Sequence, residues 1–185
     1  AALDTVEANS ILLVGAAAKA DVVERSAAGE GPVRDRIAVD VTGGWIAVEI
    51  GTGVVCLTPS ASVTSELRSK VDVAFASLGT VIEITESQFG AATAVGGVGP
   101  AYVALFAEAW VESAIRHGLP APLAERLVFA TIAGSAAMLE QGDLATLEIR
   151  RNVASPGGVT AKGLAELEHR GLREALAAAT DAVVP

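Results

Sequence analysis

The sequence predicts an α/β chain whose amino-terminal part, residues 1–90, carries a small sheet and whose remainder, 91–185, is all helix. Three observations predict this. Short apolar runs of strand length alternate with helical segments up to about residue 85; the strand signal then disappears; and glycines and prolines punctuate the rest at helix-length intervals. A chain of 185 residues holds one or two compact bodies, because single domains centre on roughly 100 to 150 residues. It is rich in Ala, Val, Gly and Leu with only 4% aromatics, so its interior must come from small and branched side chains at close approach.

Ser10–Val14, Arg36–Thr42, Gly53–Leu57 and Val81–Thr85 are each short, apolar and rich in β-branched residues, as buried strands are. Between them, Ala17–Ala28 and Ser62–Leu78 show helical spacing. In the second, Val63, Leu67, Val71, Ala74, Phe75 and Leu78 form one stripe, with Arg68, Lys70 and Asp72 elsewhere, so this helix should cover a sheet face. Beyond Gln88 a helix is expected from Pro100 to His117, ended by Gly118, and another from Pro120 to Glu140, ended by Gly142. A loop at Ser155–Val159 should open a helix at Thr160, and Leu172–Ala182 should form the last one. The domain boundary is placed within Ser87–Gly97, with Gly96-Gly97-Val98-Gly99 as a turn crossing between domains.

The net charge of −9 disfavours nucleic acid and anionic membranes as partners, since both are bound through clustered Lys and Arg. The longest uncharged stretch, Ala91–Ala107, contains Gly96, Gly97, Gly99 and Pro100 and falls short of the roughly 20 apolar residues of a bilayer span. No secretory leader is evident, and the single cysteine, Cys56, cannot form an intrachain disulfide; a cytoplasmic location is expected. Cys56 lies in a strand beside no base and is expected in the core. With two histidines and no spaced ligand set, no metal site is expected.

The sharpest local signal is Ser155-Pro156-Gly157-Gly158-Val159-Thr160. A Pro-Gly-Gly turn ahead of a helix leaves backbone N–H groups at the positive end of the helix dipole, where a carboxylate can be held, and Thr160 adds a hydroxyl there. The same pattern also suits an ordinary turn with Thr160 as N-cap. Glu108 and Glu112 stand at i and i+4 and have the spacing of an acid/base pair; in the alternative, Glu112 is solvated and Glu108 pairs across an interface between two copies. Tyr102, Phe106 and Trp110 recur at the spacing of a buried stripe.

The run Asn152–Leu167, NVASPGGVTAKGLAEL, resembles the signature of pyrroline-5-carboxylate reductases. In order upstream, Leu78-Gly79, Glu86-Ser87-Gln88-Phe89, Ala94 to Tyr102, Glu108-Ala109, Gly118-Leu119-Pro120 and Gly134 to Leu139 are similar to that family too, and Gly171-Leu172-Arg173 closes the match. The resemblance is strong over Thr80–Val184 and weak over Ser10–Ser77. It implies a partial Rossmann-like sheet domain (1–90) followed by a helical dimerisation and substrate-binding domain (91–185). It also implies a homodimer and reduction of a small cyclic imine carboxylate with NADPH or NADH, as in proline biosynthesis. Ser155, Gly157, Gly158, Val159 and Thr160 would then bind the substrate carboxylate, and the Thr160 hydroxyl, as the catalytic group, would hydrogen-bond the ring nitrogen.

The departures gather on the cofactor side. No G-x-G-x-x-G occurs, so NADP or NAD is implied by resemblance while its usual cradle is missing, and no cofactor at all is the alternative. The family's A-V-K-P is represented by Ala18-Lys19-Ala20, its M-P-N-[TS]-P by Leu57-Thr58-Pro59-Ser60-Ala61, and the serine of its G-S-G-P turn by Val98. Two readings follow: an incomplete reductase, or a shortened relative that keeps the imine-carboxylate pocket. The changes at Ser60 and Val98 favour the second. Such a relative would be a non-redox catalyst (cyclisation, isomerisation or hydrolysis) on a cyclic imine or enamine, or a binding protein.

Overall fold

The computed structural model of the chain describes residues 11–13, 37–42, 50–59, 63–142 and 146–184. The helix expected at Ala17–Ala28, the A-V-K-P counterpart within it, and Ser60-Ala61 lie outside them. The described residues fall into two compact units, those up to Pro100 with Val183 and Val184, and those from Ala101 to Ala182.

The first unit is built on a four-stranded mixed sheet in the order β1 (Ile11–Leu13), β2 (Ile37–Thr42), β3 (Gly53–Pro59) and β4 (Gly79–Glu83). β1 runs parallel to β2, β2 antiparallel to β3, and β3 parallel to β4. Parallel pairing of β3 and β4 needs a crossover, which helix α1 (Ser65–Phe75) supplies. α1 starts at Thr64, whose side-chain oxygen accepts the Leu67 N–H at 3.2 Å.

Its expected apolar stripe does cover the sheet. Val71 and Phe75 are buried with Val55 and Leu57 of β3, and Val63, Leu67, Ala74, Leu78 and Val81 pack around them. Leu57 and Val55 are fully buried; side chains of this size stabilise by about 1.5–3 kcal/mol each. Cys56, between them, is also buried, on the other side of β3. On the rim, Arg68 of α1 bonds Asp72 at 2.9 Å and also pairs with Glu83 of β4, which fastens helix to strand.

β3 and β4 begin at the paired glycines Gly53 and Gly79. Gly79 has φ of 141°, and a Cβ there would overlap the Gly53 backbone, so both the angle and the close approach require glycine.

After β4 the chain turns into helix and remains helical from Glu86 to Arg116. The entry is a capping box: the Thr85 side chain accepts from the Gln88 N–H, while the Gln88 side chain accepts the Thr85 N–H at 2.8 Å. A single turn of 3-10 helix (Glu86–Gln88) leads to α2 (Phe89–Ala92), a π turn (Thr93–Gly97) and α3 (Gly99–Arg116). The Gly96–Gly99 run is therefore no crossing turn: it closes a π turn inside a helical run, and a Cβ on Gly97 would press Thr93 Cγ2 at 3.3 Å. Nor does it interrupt the uncharged stretch. Glu86–Arg116, 31 residues, and Ala121–Glu140, 20 residues, are by length and composition long and apolar enough to cross a membrane. The 90/91 division expected from the sequence falls inside α2.

In the second unit α3 stops at Gly118, φ 96°, where the Leu119 N–H reaches back to the Ala114 carbonyl at 3.2 Å. Pro120 and Pro122 then fit the start of α4 (Ala121–Glu140), whose first N–H groups have no helical partner to lose. Gly142, φ 74°, follows its end. Next come α5 (Thr146–Val153), which the sequence reading did not anticipate, α6 (Val159–His169) and α7 (Leu172–Asp181). His169 is the last residue of α6.

These helices bury very little of themselves. Ala107, Ala124 and Val128 are their only buried hydrophobics among the described residues, while Leu105 is 65% and Phe129 54% exposed. Phe106 and Trp110 meet at a tilt of 58° with ring centroids 5.7 Å apart, and both residues stay exposed, so within the single chain the expected stripe is not a buried one.

Candidate functional site

The loop between α5 and α6 is shaped by its own sequence. The Gly158 N–H donates to the Ser155 carbonyl at 2.9 Å, which closes a four-residue turn with Pro156 and Gly157 at its corners. Pro pre-sets the first corner, and Gly157, φ 71°, supplies the left-handed second one; this is the residue order of a type II turn. Gly158 is required for a different reason, since a Cβ there would lie 2.5 Å from Ser155 Oγ. The Ser155 hydroxyl is thus lodged against the start of the next helix.

Gly158 is the N-cap of α6, in extended conformation and with no side-chain cap. The helix opens at Val159, one residue before the expected Thr160, and Thr160 is its second residue. Of the ordinary-turn alternative, the turn is present and the N-cap is Gly158, not Thr160.

Of the amides expected to grip a carboxylate, Gly158's is committed within the turn. Val159 and Thr160 carry the first two N–H groups of α6, which by position have no acceptor four residues back. They emerge at the positive end of the helix dipole, beside the hydroxyls of Ser155 and Thr160. Val159 is 88% exposed, and Ser155, Gly157 and Thr160 are exposed, so this end of the helix faces outward in the single chain. Such an arrangement can bind a small carboxylate through main-chain donors and offer a neutral hydroxyl to a group one atom away.

Glu108 and Glu112 are both exposed on α3. Among the described residues no three His, Cys, Asp or Glu side chains come together as metal ligands.

A polar cluster the sequence reading missed stands behind the loop. Glu168 of α6 accepts Arg173 Nε at 2.7 Å and Nη2 at 2.8 Å, and Arg150 Nη1 of α5 lies 3.5 Å from the same carboxylate. The hydrogen bond from Arg173 holds the Glu168 carboxyl below its usual range and pushes the Arg173 guanidinium up. Separations of five and eighteen residues, across two turns, leave no periodic signal in the sequence by which the three could be paired.

Residues 86–185 match a family model described as pyrroline-5-carboxylate reductase dimerisation. The pyrroline-5-carboxylate reductase of Mycobacterium tuberculosis is 40% identical over 150 residues, 72% of this chain and 51% of that protein. That of Synechocystis is 35% identical over 127 residues, 69% of this chain and 48% of that one. The chain thus spans about half the length of the curated relatives it matches.

Among solved structures, Plasmodium falciparum pyrroline carboxylate reductase with NADP bound superposes with a TM-score of 0.71 at 32% identity, covering 81% of this chain and 59% of that one. A pyrroline-5-carboxylate reductase from Coxiella burnetii gives a TM-score of 0.82 over 99% of this chain and 66% of that one; at 24% identity it shows the shared fold. That fold, a Rossmann-like sheet unit leading into helices, is the one expected from the sequence.

Proposed function

The chain belongs to the pyrroline-5-carboxylate reductase family, and from that premise we propose that its Ser155–Thr160 loop binds the carboxylate of a small cyclic imine. The observation that carries this reading is the pair of unpartnered helix-opening N–H groups, Val159 and Thr160, set beside the Ser155 and Thr160 hydroxyls. In such a substrate the carboxylate is bonded to the ring α-carbon and the nitrogen is that carbon's ring neighbour, so anchoring the carboxylate here sets the nitrogen within reach of Thr160.

The reaction class is reduction of C=N. Hydride adds readily to that carbon only when the nitrogen is protonated or polarised, so the site's task is to orient the ring and manage one proton. The Thr160 hydroxyl hydrogen-bonds the nitrogen and fixes its direction; it is too weak an acid to deliver the proton itself.

A reduced nicotinamide, NADPH or NADH, would supply the hydride, as the family implies. These 185 residues contain no G-x-G-x-x-G to cradle its pyrophosphate, so they do not fit that group in its usual mode, and no step is assigned to it. The second reading, a cyclic-imine catalyst or binding protein without redox chemistry, rests on the residues changed within the chain, Ser60 and Val98.

The exposed apolar faces of α3 and α4 we assign to a second copy of the chain, in keeping with the dimerisation family matched by residues 86–185. A cytoplasmic location accompanies this reading.

One set of assays tests it. Pyrroline-5-carboxylate should be consumed with loss of NADPH fluorescence, and Thr160→Ala should abolish turnover while light scattering still gives a dimer. Unchanged turnover in Thr160→Ala removes that residue from the mechanism. Proline binding with no change in NADPH fluorescence selects the non-redox reading.

A further inference from the structure

The loop stands on two helices that share no buried core. Among the described residues, no side chain of α5, α6 or α7 is buried. Within the loop, one hydrogen bond from Gly158 to Ser155 closes the turn, and it does not reach either helix body. Charge contacts from both neighbouring helices meet on one side chain of α6. Glu168 lies near the far end of α6 and Arg150 in α5, so their contact at 3.5 Å spans the two legs below the loop. The turn after α6, through Gly171 at φ 76°, returns Arg173 of α7 to the same carboxylate in a two-pronged grip of 2.7 and 2.8 Å.

We infer that Glu168 is a positioning residue for the carboxylate loop: by holding Arg150 and Arg173 on one carboxylate, it fixes the legs and so the direction of the Val159 and Thr160 N–H groups. The inference rests on the loop reading above. Isolated exposed ion pairs contribute little, but this one is two-pronged, shared by three helices and set among helices with no fully buried side chain. The Glu168 carboxyl is held in its charged form by Arg173, so the network is intact near neutral pH.

The full chain titrated with proline in a calorimeter gives the test. Glu168→Gln should bind proline about two- to fivefold more weakly than the wild type, the scale expected of a well-formed exposed network. Its circular dichroism and its mass by light scattering should be unchanged. Exchanging all three charges, Glu168→Arg with Arg150→Glu and Arg173→Glu, should restore part of the affinity. A merely structural role predicts a lowered melting temperature with wild-type affinity, and that result overturns the inference while leaving the loop reading in place. If Glu168→Gln does not fold, Arg150→Gln removes only the contact between the legs; weakened binding supports the inference and wild-type binding overturns it. A wild-type chain that binds no proline overturns the loop reading and this inference together.

Discussion

The Tyr102 hydroxyl donates to the Ala179 carbonyl, 77 residues further on, at 3.2 Å. It ties the first helix of the helical unit to its last, in a body where few side chains are buried. Tyr102→Phe keeps the ring and deletes this bond. The expected loss is about 0.5–1.5 kcal/mol, read as a lower denaturant midpoint with unchanged slope.

Gly158→Ala should damage the loop more than its single methyl suggests. The added carbon meets Ser155 Oγ at 2.5 Å and the Ser155 carbonyl at 3.1 Å, so the turn must open or the hydroxyl must leave. Gly157→Ala places a side chain at φ 71°, a conformation that costs an L-residue roughly 1–2 kcal/mol. Both variants should lose proline affinity in calorimetry while the mass by light scattering is unchanged.

Leu123 and Leu127 lie one turn apart on α4 and are 44% and 50% exposed. Leu127→Asp should shift the chain from dimer to monomer in light scattering, since a charge buried against a second copy lacks a partner. A dimer that survives this change places the interface on another face of α4.

Acid should loosen the helical unit through Glu168. Its folded-state pKa lies below the usual 4.5, because of the Arg173 hydrogen bond first, so its contribution is present above that value and is lost as pH falls through the lowered one. Glu66, lowered by its bond to Lys70, adds the same sign in the sheet unit. Denaturant midpoints at neutral pH and below 4.5 should therefore differ less for Glu168→Gln than for the wild type.

Much of this architecture is legible in the residues. The strands at Ile11, Ile37 and Gly53 begin within a residue of where apolar, β-branched runs place them, and the α1 stripe names the core that Val71 and Phe75 form. These signals are local and periodic.

Three features were hidden for identifiable reasons. α5 is eight residues long, too short for its spacing to stand out from the loops on either side. Gly96, Gly97 and Gly99 read as breakers, yet the helical run continues through them, and Gly97 is where Thr93 leaves little room for a side chain. At the site, Thr160 has the residue type of an N-cap, but the turn closed by Ser155 moves that role to Gly158. A β-turn abutting a helix shifts the frame by two residues, which residue preference alone does not register.

The bareness of the helical unit also sets how the protein melts. In the proposed dimer, a body with so few buried side chains of its own unfolds in a second-order equilibrium, so its midpoint is a function of dilution as well as heat. Newly made chains pass through a stage in which Leu105 and Phe129 meet water, and the speed of encounter decides whether they find their twin or a misfit.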